Sequence, residues 1–141
     1  MKSYNAEAHV VIKANAARIW DALTNPAVIK KYLFGTEAVS TWKVGSPIVY
    51  RGEWNGQRYE DKGTILEIVP NKRLKSTYWS SMGGKPDLPQ NYNTVTYELA
   101  ENDGETTVTI TQDNNPTAES AAHSKSNWES VLAVMKKLLE E

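Results

Sequence analysis

The chain has 141 residues and no cysteine, a length that supports one domain spanning 1–141 with a core of its own and a composition that excludes disulfides, thiolate metal sites and cysteine nucleophiles. Its 16 basic and 17 acidic residues leave a formal charge of −1, with no basic run longer than Lys30-Lys31 or Lys136-Lys137. A nucleic-acid binder needs a basic face or stripe, so nucleic acid is not an expected partner.

His9 to Lys13 reads as the core of a first strand. Asn15 then offers a side-chain oxygen to the free N–H groups of a helix start. Ile19 and Leu23 fall on one helical face with Trp20 beside them. Asn25-Pro26 ends that helix and opens a second, short one, which stops by Phe34-Gly35. Thr36 to Thr41 is an edge-strand candidate, and Gly45-Ser46-Pro47 a turn. Ile48, Tyr50, Gly52 and Trp54 alternate onto one face of the next strand. Asn55-Gly56 is a strong hairpin signal, because both residues tolerate positive φ. The return strand runs from about Gln57 to Val69 and is long enough to bend, with Gly63 as the candidate position. Leu74, Ser76 and Tyr78 share one face of the following strand; Lys75, Thr77 and Trp79 share the other. Ser80 to Gln90, with two Gly and two Pro, is the longest clear loop. Val95, Tyr97 and Leu99 alternate along another strand, Asp103-Gly104 turns the chain, and Val108, Ile110 and Gln112 return it. Asn115-Pro116 is read as the start of the last helix. Its Trp128, Val131, Leu132, Met135, Leu138 and Leu139 form a wide apolar stripe, on a helix on the order of 35 Å long.

No apolar run approaches the roughly 18 residues needed to span a membrane, and Met1 to His9 lacks the apolar centre of a secretory signal. The expected setting is cytoplasmic, with the missing cysteines in keeping with a reducing compartment. Five Trp and seven Tyr stand against one Phe. Trp and Tyr suit walls where an apolar body meets a polar partner, though they also favour strands in general.

The order strand, two helices, six strands, helix brings together a recognisable set of segments. They are Ile12-x-Ala14, Ile19-Trp20-x-Ala22-Leu23-Thr24-x-Pro26, Gly45-Ser46-Pro47-Ile48-Val49-Tyr50, and Gly63 to Pro70 followed by Arg73-Leu74. Val95-x-Tyr97-x-Leu99 and Asn127-Trp128 with Leu132 complete the set. On these, the chain resembles the helix-grip, START-like (SRPBCC) superfamily, and within it the domain shared with the C-terminal part of the activator of Hsp90 ATPase. Gly45-Ser46 stands where the family usually has Gly-Gly, Asn127 where Gly usually precedes the helix Trp, and the aromatic near Lys75 to Thr77 arrives later, as Tyr78-Trp79. The resemblance implies an α+β helix-grip fold: a curved antiparallel sheet of six to seven strands around a long C-terminal helix, with two short helices after strand 1. It also implies a hydrophobic ligand cavity, although a shared fold does not fix a shared activity.

Candidate chemistry is sparse. The two histidines, His9 and His123, have ordinary surroundings in the sequence. No metal-ligand spacing, nucleophile elbow or phosphate loop occurs, and Ser80-Ser81 with Gly83-Gly84 reads as a turn. No cofactor is expected. Glu60 and Asp61 are adjacent on a strand and must face opposite ways. If Tyr59 points inward, so does Asp61, and a carboxyl group facing an apolar pocket suits acid/base work. The alternative is a solvated hairpin. Gln112 aligns with Val108 and Ile110, either as a polar group in the wall or as a strand end near solvent. The candidate wall joins Ile48, Tyr50 and Trp54 to Ile65, Tyr78, Tyr97, Ile110 and Gln112, with Trp128, Leu132 and Met135 from the helix. Either these side chains line a pocket or they fill the grip; Ser76 and Gly52 on the inner face favour a void.

Three functions fit. The first is a binding module for a hydrophobic or aromatic small molecule, reached near the Ser80 to Gln90 loop and the last helix. The second, from the resemblance, is a chaperone-linked or other protein-interaction module, weakened by the lack here of the activator's N-terminal domain. The third is a cyclase or hydrolase using the same cavity, with Asp61 as the acid/base group. A monomer or weak homodimer is expected, the latter through the Thr36 to Thr41 edge.

Overall fold

The structure, a computed structural model, describes residues 4–33, 35–54, 56–80 and 84–140, the side chain of Trp54 excepted. The strands are β1 (Tyr4–Ile12), β2 (Glu37–Ser40), β3 (Pro47–Trp54), β4 (Gln57–Val69), β5 (Arg73–Ser80), β6 (Asn93–Asn102) and β7 (Glu105–Asn115). The helices are α1 (Ala16–Thr24), α2 (Pro26–Tyr32) and α3 (Ala118–Glu140), with a 3-10 turn at Pro89–Asn91. All seven strands form one antiparallel sheet in the order β1-β7-β6-β5-β4-β3-β2. This is the expected α+β helix-grip arrangement, with seven strands and two short helices after the first.

Local chemistry accounts for the element ends. Asn15 Oδ1 accepts from the Arg18 N–H at 2.9 Å and caps α1. Asn25 Oδ1 accepts from the Ala27 N–H at 3.0 Å and caps α2, with Pro26 at its first position. Asp103 and Gly104 have φ values of 52° and 79°, as a tight hairpin between β6 and β7 requires. Phe34, Asn55 and residues 81–83 lie outside the described residues.

The last helix begins differently from the sequence expectation. Asn115 does not cap it. Its side-chain N–H groups donate to the carbonyls of Tyr4 and Gln112 at 2.9 and 3.0 Å, which ends β7 and holds the start of β1. Thr117 takes the capping role: its Oγ1 accepts from the Ser120 N–H at 3.0 Å, and Ser120 Oγ accepts from the Thr117 N–H at 3.2 Å. A reciprocal pair satisfies two free donors where a lone Asn satisfies one.

Inner-face residues alternate along each strand. Ala6, Ala8 and Ile12 of β1, Leu74 and Ser76 of β5, Val95, Tyr97 and Leu99 of β6, and Thr106, Val108 and Ile110 of β7 are all buried. They meet the stripe of α3, where Val131, Leu132, Met135 and Leu139 are buried. Strand β4 bends by two devices. Its register with β5 slips between Ile65 and Glu67, so the bulge sits at Leu66. At Gly63, the position anticipated for the bend, the backbone of β5 crosses so closely that a Cβ would overlap the Thr77 carbonyl oxygen. Thr77 Oγ1 fills the gap in the ladder by accepting from the Thr64 N–H at 2.8 Å.

Gly63→Ala must therefore displace backbone, and is expected to cost at least about 3 kcal/mol of unfolding free energy. Gly52→Ala meets only the Tyr59 ring, a side chain that can turn away, and should cost about 1–3 kcal/mol. Urea unfolding of the two variants measures the order.

Candidate functional site

Helix α3 packs chiefly against β1 and only lightly against β7. The short inner-face side chains of Ala6 and Ala8 permit that close approach. Having settled over one edge, the helix cannot also cover the middle of the sheet. A cavity of about 690 Å³ remains. Strands β3 to β7 form its floor, Trp128 and Val131 of α3 one wall, and Leu33 and Thr36 beyond α2 the other. Glu53, His123 and Asn127, all exposed, mark the mouth.

Five large aromatic side chains line it: Tyr50, Tyr59, Tyr78, Tyr97 and Trp128. Tyr97 and Trp128 meet edge to face, with ring centroids 6.0 Å apart at 83°, a favourable geometry. Among them sits Asp61, 9% exposed. The Tyr78 hydroxyl donates to Asp61 Oδ2 at 2.7 Å, and Asp61 Oδ1 has no partner. Tyr50 stands directly across the ladder from Asp61. Burial first, and the neighbouring Asp61 carboxylate second, push the Tyr50 and Tyr78 hydroxyls well above the ordinary tyrosine range. Tyr32 and Tyr97 are raised in the same direction, again mainly by burial. Tyr59 is held by a 2.5 Å hydrogen bond between its hydroxyl and Thr36 Oγ1.

Gln112 closes the end of the cavity beneath α3. Its Oε1 accepts from the Trp128 indole N–H at 2.9 Å, and its Nε2 donates to Asn115 Oδ1 and Ser124 Oγ at 3.1 and 3.3 Å. The amide is thus committed to joining β7 to the helix. Its polar character was legible from the alternation on β7; its partners, three to sixteen residues away, were not.

Of the wall residues read from the sequence, Tyr50, Tyr78, Tyr97, Gln112 and Trp128 line the cavity, as does Asp61. Ile48, Ile65, Ile110, Leu132 and Met135 are at most 1% exposed and pack in the closed core beyond it. The side chain of Trp54 lies outside the described residues. Sequence reasoning passed over Thr36, Val95, Ser124 and Asn127; the alternation that marks Tyr97 also marks Val95. The Ser80 to Gln90 loop departs from expectation. Ser80 faces the cavity, but the described part beyond it folds onto the outer face of the sheet. There the Trp79 indole N–H donates to the Lys85 carbonyl at 3.2 Å, Tyr92 donates to Asp87 at 2.5 Å, and Lys62 pairs with Asp87 and lies 5.6 Å from the Trp79 ring centre. Trp79 faces outward because its neighbour Tyr78 faces in.

Among the described residues no group of three or more His, Asp or Glu could hold a metal ion, and no helix is long and apolar enough to cross a membrane.

Two outcomes are expected from this geometry. Tyr78→Phe strips Asp61 of its one hydrogen bond and should destabilise the fold by about 1–3 kcal/mol. The same change made on an Asp61→Ala background should cost measurably less, which a double-mutant cycle in denaturant reads. The buried phenols also set an alkaline limit. Their folded-state values lie above the unfolded one, so the stability they carry is complete below about pH 10 and declines as pH rises past it. Phenolate absorbance from Tyr32, Tyr50, Tyr78 and Tyr97 should appear together with loss of the folded circular-dichroism signal; its appearance in the folded protein would contradict their burial.

The sequence matches the family described as activator of Hsp90 ATPase homolog 1-like protein over residues 13–140. Among solved structures, ChR145 from Cytophaga hutchinsonii is 46% identical, with 99% of this chain and 97% of that one aligned at a TM-score of 0.86. The Aha1 dimer from Colwellia psychrerythraea is 24% identical over 97% of this chain and 96% of that one, with a TM-score of 0.76. DynU16, a protein of the dynemicin biosynthetic locus, is 18% identical over 96% of this chain and 47% of its own, with a TM-score of 0.77. The last two likenesses carry the fold alone. No curated protein matches the chain. With one family matched across nearly all of the sequence and a relative at 46% identity superposing end to end, the chain belongs to the activator of Hsp90 ATPase homolog 1-like family.

Proposed function

We propose that the protein is a binding module that holds a hydrophobic or aromatic small molecule in the cavity between the sheet and α3. The observation that carries this reading is the cavity itself. About 690 Å³ lined by five large aromatic side chains together with polar groups falls within the range of small-molecule sites, about 300–1,000 Å³. Apolar burial supplies the affinity, near 25 cal/mol per Å² before ordering costs. Asp61 and the Tyr50 hydroxyl supply orientation. The occurrence of this fold in a protein of the dynemicin biosynthetic locus is consistent with use around small organic molecules. The setting proposed is the cytoplasm, as a monomer or weak homodimer; β2, at one sheet edge with Val39 45% exposed, is the pairing strand.

Protein interaction is the second reading, favoured by the family's description. In that case the chain stimulates or binds an Hsp90-type ATPase, and a pull-down that recovers no stoichiometric partner counts against it. An enzyme acting on the cavity's contents would use Asp61 as its acid/base group; full turnover in Asp61→Asn would remove that role.

Tryptophan fluorescence and thermal unfolding against a panel of lipids, polyketides and flavonoid-like aromatics test the main reading. A ligand at a hundred times its Kd stabilises the fold by about 2.7 kcal/mol, which raises Tm by roughly 5–10 °C for a domain of this size. Ser76, 6% exposed on the cavity floor, provides the specific control. Ser76→Leu should fill space the ligand needs and weaken binding about ten-fold or more, a change of about 1.4 kcal/mol or above, with Tm of the free protein unchanged or higher. Undiminished binding by that variant would move the ligand elsewhere.

A further inference from the structure

We propose that the cavity selects molecules bearing an ammonium group with at least one N–H on a hydrophobic body, with Asp61 as the partner of that charge. The inference rests on the small-molecule reading above and names the class of ligand.

Asp61 is the starting point. It is nine-tenths buried, faces the cavity, and has one oxygen taken by Tyr78 and the other by nothing. A buried acceptor without a donor is costly, and a buried carboxylate without a counter-charge more so. The described residues do not supply that counter-charge. No Lys or Arg lines the cavity among the described residues, and its one imidazole, His123, is exposed at the mouth. Of the cations near it in sequence, Lys62 pairs with Asp87 and Arg51 with Glu60, both in exposed positions, and Arg58 is exposed and does not line the cavity. A ligand is left as the source. Glu53, the second carboxylate on the lining, is exposed at the mouth with Arg58 across the ladder from it, which leaves Asp61 as the uncompensated charge inside.

The remaining walls favour the same class. The faces of Tyr50, Tyr59, Tyr78 and Trp128 carry the negative side of the ring quadrupole, which attracts a cation, most strongly where water is excluded. A carboxylate ligand finds no positive group here and meets Asp61. An alcohol can donate to Asp61 Oδ1 but brings no charge. Tyr50, whose hydroxyl has no hydrogen-bond partner among the described residues, stands beside Asp61 and can take a second polar atom of the ligand.

The test is a calorimetric titration of the whole chain with three probes sharing one body: naphthylmethylammonium, naphthylmethanol and naphthylacetate. The ammonium is expected to bind at least about ten-fold more tightly than the alcohol, and the carboxylate most weakly. Asp61→Asn should reduce the ammonium preference to within about three-fold while the alcohol still binds. A nuclear Overhauser contact between the probe's aminomethyl protons and the Tyr78 ring in the unaltered protein gives a readout that does not depend on the variant folding. Equal binding of ammonium and alcohol, or tightest binding of the carboxylate, overturns the charge preference and leaves the cavity reading standing. Failure of all three to bind, by calorimetry and by thermal shift, overturns both.

Discussion

The seating of α3 against β1 governs the rest of the molecule. A helix can lie close to a strand only where the intervening side chains are short, and β1 presents Ala6 and Ala8 on its inner face. Both halves of the helix are then tied to that edge. Near its C-terminus, Lys136 Nζ donates to the Val11 carbonyl at 2.9 Å and Glu140 accepts from the Lys13 N–H at 2.9 Å. Further up, Trp128 is held by Gln112 of β7, and Ser124 Oγ donates to Asn115 at 3.2 Å. With the helix held in this way, the sheet's curvature leaves volume over β3 to β6 that one row of helical side chains cannot reach.

The interior therefore divides into two regions of different chemistry. Around Leu132 and Met135, isoleucines and valines close the space to near-zero exposure, as native packing density requires. Toward the N-terminal half of α3, the inner face carries Ser76, Asp61 and the tyrosines instead. These are poor choices for filling a core: the hydroxyls must find partners, and an unpaired carboxylate oxygen is a standing cost. Polar groups kept in such a place are accounted for more readily by what they face than by stability. Asp61 is the sharpest case, because Tyr78 satisfies one of its oxygens and leaves the other directed at open space.

Family membership explains the frame and leaves the contents open. The likenesses at 24% and 18% identity show how far this frame persists while the sequence around it changes. A helix over a curved sheet is a container whose walls alternate with each strand, so substitutions at a handful of inner positions change its chemistry without disturbing the hydrogen-bonded ladders. In this chain the inner positions combine aromatic faces with acidic groups and, among the described residues, no lining Lys or Arg.

Much of the fold was legible in the sequence because it rests on local rules. Period-two alternation marked the inner faces of β3 and β5 to β7, side-chain caps at Asn15 and Asn25 marked two helix starts, and positive-φ residues marked the β6–β7 turn. Alternation also placed Tyr50 and Tyr78 on the inner side, and tied the facing of Asp61 to that of Tyr59 without settling either. It could not divide inner residues between closed core and cavity wall: Ile48 and Tyr50 are two residues apart on the same face, yet one is packed solid and the other lines open space. That division depends on where α3 lies across strands far away in the chain. Nor could local rules foresee Asn115 turning from a helix cap to a clasp on β1, since its partner Tyr4 is 111 residues away, or the loop after Ser80 binding the outer face through Trp79. Secondary structure and the facing of most strand residues followed from the sequence because each depends on neighbours a few residues apart, whereas the strand order, with Ala6 of β1 paired to Gln112 of β7, does not. The cavity, the lone oxygen of Asp61 and the pairing of Gln112 with Trp128 were decided by the tertiary structure, because each depends on the position of one helix over a curved sheet.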